Sequence, residues 1–269
     1  MTLIITMIRP EGIWQSVDSR VTRLGKLVDD KAPKQLHIVY PPLKLGPQML
    51  LGFTGLAEMP DGRPTIQWLR ETLHGETRSI TQTFEFLTER LTGYLCKPRF
   101  INSVLILCGG IFEGNKRFYF EMNNVHPSTR KVTQVFRYSI VEVNAPTIFA
   151  AGSGSAHIGP ADRSLLQQQA QLVPSKWEDH SGLLAGVNRR TADKDFLVSP
   201  WCQVTFVVEG KDGASGGYFA QPMEPQGGDV LLNSVVFGID THDMLTEIMG
   251  RIDNSSDERP APTQVAEKK

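Results

Sequence analysis

The order of hydrophobic patterns constrains this 269-residue chain more than any other feature: strand-like segments, two helix-like segments, strands, two more helices, and strands again. Nowhere does one helix alternate with one strand, as a parallel βαβ sheet requires. Residues 2–8 are apolar and β-branched, Arg9-Pro10-Glu11-Gly12 supplies turn chemistry, and residues 13–19 resume as a strand, so the chain opens on a hairpin. Residues 35–40 and 49–54 follow as strands, ending at the turn Gly55-Leu56-Ala57-Glu58. The period then changes. Ile66, Leu69, Leu73 and then Phe84, Leu87, Leu91, Leu95 recur at helical spacing, with Pro64 near the first start and Ser79 as the second N-cap.

Strands return at residues 104–108, 117–122, 132–143 and 147–151, and a second helix pair at 161–172 and 178–194 follows Gly152-Ser153-Gly154-Ser155. Strands at 202–209 and 230–237 and a short helix at 242–249 close the domain. Two largely antiparallel sheets packed face to face, with a helix pair outside each, would bury every one of these apolar faces. The expected fold is therefore α+β, a four-layer αββα sandwich spanning residues 2–252 as one domain. Residues 253–269 are rich in Pro, Ser, Glu and Lys and cannot offset their ordering entropy by burial, so they are expected to form a disordered tail.

A 40% hydrophobic content supports a full core, while a net charge of -1 with scattered basic residues argues against nucleic acid as a partner. No apolar run approaches the ~18 residues of a membrane span, and no basic leader with a cleavage site precedes the first strand. Cys96, Cys108 and Cys202 are isolated from one another, which suits buried thiols in a reducing cytoplasm. The six histidines lack paired-ligand spacing, so neither a metal nor a cofactor is expected.

Thr2 carries the chemistry. Loss of Met1 to an aminopeptidase would leave a hydroxyl and a free α-amine on one residue, and an α-amine titrates near 7.7–8.0, close enough to working pH to accept the hydroxyl proton. Asp18 lies sixteen residues further on and Lys34 sixteen beyond that. The opening hairpin returns Asp18 to the N-terminus, where a lysine ammonium would disfavour protonation of the amine and Asp18 would orient the lysine. Gly55 would let a backbone N–H approach a substrate carbonyl.

The phrase Ser16-Val17-Asp18-Ser19-Arg20-Val21-Thr22, the later Lys34, and Phe53-Thr54-Gly55-Leu56-Ala57-Glu58 together resemble the catalytic β-subunits of the proteasome, within the N-terminal nucleophile hydrolases. The resemblance extends to Gly152-Ser153-Gly154-Ser155 and to Asp195 and Ser199, and covers most of residues 2–210. It implies Thr2, Asp18 and Lys34 as the catalytic set, Gly55 as the oxyanion donor, and Ser153, Asp195 and Ser199 as supports of the N-terminal threonine. The pattern departs at five places: Asp195 and Ser199 stand one residue further apart, Pro200-Trp201 replaces glycines, Glu58 replaces an aspartate, the stretch Gly55-Leu56-Ala57-Glu58 is one residue short, and Pro41 to Pro47 is unlike the family. The implied activity is a threonine-type peptidase acting on peptide or protein, in a divergent, bacterial-type chain that self-associates into rings and works with an unfoldase partner. Two other readings stay open: a small-amide hydrolase on the same nucleophile, and an inactive ring or scaffold subunit.

Overall fold

The computed structural model describes residues 2–23, 26–41, 46–75, 77–97, 100–173, 177–210, 213–221, 234–236 and 239–240. The expected helix at 242–249 and the tail at 253–269 lie outside the described residues. The opening hairpin is β1 (Ile4–Arg9) and β2 (Gly12–Asp18), every residue of which is buried except Arg9's turn neighbours beyond the strand ends. A short ribbon, β3 (Val21–Arg23) with β4 (Lys26–Asp29), separates it from β5 (Gln35–Val39) and β6 (Gln48–Gly55).

Helices α1 (Thr65–Leu73) and α2 (Ile80–Leu95) come next, and α2 starts where expected. Ser79 accepts from the Gln82 N–H while the Gln82 side chain accepts from the Ser79 N–H, a capping box that satisfies two otherwise orphaned donors. Strands β7 (Leu105–Glu113), β8 (Lys116–Val125), β9 (Val132–Glu142) and β10 (Thr147–Ala151) lead to α3 (Pro160–Ala170) and α4 (Trp177–Ala192). Then follow β11 (Cys202–Gly210), β12 (Gly213–Gln221), β13 (Ser234–Val236) and β14 (Ile239–Asp240).

One sheet has the order β10-β1-β2-β11-β12 and the other β14-β13-β5-β6-β7-β8-β9. All pairs are antiparallel except β13 with β5, so the αββα sandwich expected from the pattern order is what the chain forms. Alternation assigns each strand two faces. Leu36, Leu51, Phe53, Leu107 and Phe120 face outward under Trp68, Leu69, Phe84 and Leu91 of α1 and α2. On the opposite side Leu3, Ile5, Met7, Trp14 and Val204 pack under Leu166, Leu184 and Val187 of α3 and α4.

Between the sheets lie Ile8, Ile13, Leu50 and Val207 together with a polar seam. Gln15 Nε2 donates to Thr6 Oγ1 at 3.2 Å and to the Cys108 carbonyl at 3.0 Å, Gln35 Nε2 donates to Gln15 Oε1 at 2.9 Å, and Thr205 Oγ1 donates to Gln35 Oε1 at 2.7 Å. Each buried amide thus has its partners, which fixes the register of one sheet on the other. Two glycines let the sheets approach: a Cβ on Gly52 would lie 2.9 Å from Val17 Cγ2, and one on Gly110 would lie 2.6 Å from Ile13 Cγ2. The thiols differ from expectation at one position. Cys108 and Cys202 are buried, but Cys96 is exposed, because it caps α2 where the helix leaves the core.

Candidate functional site

Strand register gathers the sequence-derived residues at one end of the sandwich. Ile4 pairs with Val17 and with Ala151, and Asp18 with Cys202, so the start of β1, the end of β2, the end of β10 and the start of β11 coincide. In the other sheet Gln35 pairs with Gly52, which brings Lys34 beside the end of β6. The Phe53 N–H donates to the Lys34 carbonyl at 3.1 Å. Thr2 itself lies two residues before β1 rather than inside it, and is buried.

Asp18 is 0% exposed and its carboxylate is held on both oxygens. Oδ1 accepts the Leu3 N–H at 2.9 Å, and Oδ2 accepts the N–H groups of Arg20 and Ser199, each at 3.1 Å. Lys34 Nζ stands 3.5 Å from Asp18 Oδ1, donates to Thr2 Oγ1 at 2.8 Å, and donates to the Arg20 carbonyl. The sequence reading aimed the lysine at the α-amine; the ammonium lies directly on the hydroxyl. Burial is the main influence on both charges. It lowers Lys34 below the usual lysine value against the attraction of Asp18, and raises Asp18 against the attraction of Lys34 and the three N–H donors.

The main chain of Thr2 is fixed as firmly as its side chain. Its carbonyl accepts the Gly154 N–H at 3.2 Å, from a 3-10 turn at Ser153–His157. Gly152, just before that turn, has φ +82°, and a Cβ there would sit 2.1 Å from the Thr2 carbonyl oxygen and 3.3 Å from Thr54 Oγ1. Only glycine fits. The same geometry brings the Thr54 hydroxyl near the Thr2 carbonyl. Gly55 ends β6 with φ +98° and is exposed, and a Cβ would meet the Val104 carbonyl oxygen at 2.1 Å, so a left-handed backbone turns the chain at the edge of the site.

The remaining three residues hold different posts. Ser153 is exposed and opens the 3-10 turn without capping it, the cap position being Gly152. Ser199 uses its N–H for Asp18, while its hydroxyl donates to the Asp30 carbonyl at 3.2 Å and accepts the Trp201 N–H at 3.0 Å. Asp195 Oδ1 accepts the Leu197 N–H at 3.0 Å, and Oδ2 is buried with no hydrogen-bond partner among the described residues. Sequence reasoning missed the backbone donors of Leu3, Arg20 and Gly154, which carry no side-chain signal, and Arg20, whose guanidinium binds Asp30 at 2.8 Å. A cavity of about 510 Å³ opens beside Lys34, walled by Val21, Ala32, Phe53, Ala57 and Ile66, with Asp29, Glu58 and Arg70 also lining it.

No family model and no curated protein matches the sequence. Among solved structures, Anbu (ancestral beta-subunit) from Yersinia bercovieri aligns over 98% of this chain and 100% of its own, at 12% identity and a TM-score of 0.53. At that identity the likeness is one of fold. An Anbu (Gly-1) mutant from Hyphomicrobium sp. strain MC1 aligns over 100% of both chains at 10% identity and a TM-score of 0.52. These likenesses establish a shared architecture of antiparallel sheets flanked by helices. Among the described residues no helix is long and apolar enough to cross a membrane.

Proposed function

We propose that the chain is an N-terminal-threonine hydrolase that cleaves peptide bonds, with Thr2 as nucleophile once the bond before it has been cut. The observation that carries this reading is the 2.8 Å contact of Lys34 Nζ with Thr2 Oγ1, made in a buried site where Asp18 holds the lysine. A cation on a hydroxyl oxygen favours its ionised form, and low dielectric strengthens that effect. Thr2 Oγ attacks the substrate carbonyl while its proton passes to the freed α-amine. The negative charge on the carbonyl oxygen falls to a backbone N–H, for which Gly55 is the candidate. Collapse expels the amine product, which takes the proton, and leaves an ester on Thr2; water then attacks the ester and releases the acid.

The cavity beside Lys34 has room for a substrate side chain, which favours a peptide over a minimal amide. Self-association into rings and an unfoldase partner are carried over from the family resemblance, and a cytoplasmic location follows from the isolated cysteines. Intact-mass analysis before and after treatment with a threonine-reactive electrophile tests the reading. The expected result is a chain beginning at Thr2 that gains one adduct, with Thr2→Ala folded, unlabelled and inactive. Turnover by material that retains Met1 would overturn it.

A further inference from the structure

The 3-10 turn that grips Thr2 and the segment that grips Asp18 are separate pieces of chain, and one side-chain pair spans them. His157, the last residue of the turn, points Nε2 at Asp195 Oδ2 from 3.7 Å. Asp195 is 7% exposed and that oxygen has no hydrogen bond among the described residues, while the His157 side chain is 48% exposed. A buried carboxylate oxygen without a donor is costly, so a short rotation of the imidazole onto it is favourable. Val198, whose N–H donates to the Asp195 carbonyl at 2.9 Å, packs on Gly154, and Ser199 beside it donates to Asp18. The pair therefore joins the donor that holds the Thr2 carbonyl to the donor that holds Asp18.

Resting on the proposed nucleophile, we infer that His157 is a positioning residue: by donating Nε2–H to Asp195 it sets the Thr2 main chain at the distance from Asp18 and Lys34 that attack requires. The other charges facing this pair are few. Arg163 of α3 is spent on the carbonyls of Ile158 and Ser155, and Lys194 lies 3.9 Å from Asp162, which Arg190 also binds. Arg20, already bound to Asp30, also feels the Asp195 charge.

The test uses the full chain and reads kcat, KM and the rate of electrophile labelling at Thr2. A misplacement of about 1 Å costs on the order of a hundredfold, so His157→Ala is expected to lower kcat and the labelling rate by roughly ten- to a hundredfold with KM little changed. His157→Gln, which keeps an N–H donor, should recover most of the rate. Adding Asp195→Asn to His157→Ala should cost nothing further. A wild-type labelling rate and kcat in His157→Ala would overturn the inference, as would His157→Gln impaired equally with His157→Ala. Absence of labelling in the wild-type chain would instead refute the nucleophile and the inference with it.

Discussion

Replacing Lys34 with methionine keeps the aliphatic stem and removes the ammonium, which isolates the electrostatic part of the site. Asp18 would then sit at 0% exposure with its three N–H donors but no cation. Breaking a buried pair from one side costs about 3–5 kcal/mol, and the retained N–H bonds place this case near ~3 kcal/mol. At about 2–4 °C per kcal/mol for a chain of this size, Tm at pH 7 falls by roughly 6–12 °C. The sign of the pH dependence is fixed by Asp18. Its folded pKa is already above the usual value because of burial, and rises further without Lys34. A raised carboxyl contributes stability below its unfolded pKa that is lost as pH rises through the folded one. The deficit of Lys34→Met relative to wild type must therefore be largest at neutral pH and shrink on acidification toward pH 4. Urea unfolding at pH 7, 5.5 and 4 reads this directly. A deficit that is constant with pH, or below ~1 kcal/mol at pH 7, would refute the argument that Asp18 is a buried ion balanced by Lys34.

Gly152→Ala should abolish turnover while sparing most of the fold, since its Cβ would displace the Thr2 carbonyl from 2.1 Å; a steady-state rate within tenfold of wild type would count against the gripping role of the 3-10 turn. His37 is buried on the inner face of β5 against Gln48 Oε1 at 2.9 Å, and burial lowers its pKa. The unfolded chain therefore binds the proton first, and stability should fall as pH drops below about 6.5, by at most ~1.4 kcal/mol per pH unit. His37→Leu should remove that slope in a series of urea melts.

The architecture was legible because the helices announced themselves by periodicity, and α1 and α2 also by a terminus signal, Pro64 before the first and Ser79 at the N-cap of the second. Strand β12 was not legible: Gly213-Ala214-Ser215-Gly216-Gly217 has neither alternation nor β-branched residues, and it becomes a strand by pairing with β11 along its whole length. The β3–β4 ribbon escaped for a related reason, since Lys26, Leu27, Val28 and Asp29 are all exposed and show no buried face. At the site, the return of Asp18 to Leu3 follows from hairpin register and could be read from spacing. The contact of Lys34 with the Thr2 hydroxyl could not. Thr2 leads into the sheet that holds Asp18 and Lys34 leads into the other, and the approach of two sheets depends on seam residues scattered from Thr6 to Thr205.

That seam also decides where variation in this protein can be accepted. Glycines at 52 and 110 and interlocked glutamines at 15 and 35 leave the space between the sheets filled by the chain itself. A ligand cannot be accommodated there without parting the layers. Under the proposed function, selectivity falls to the rim, on the β3–β4 ribbon and the start of α1 that border the cavity beside Lys34. Directed evolution toward new substrates should accumulate changes along that border while the seam stays unaltered, a partition that a deep mutational library selected separately for folding and for turnover would display.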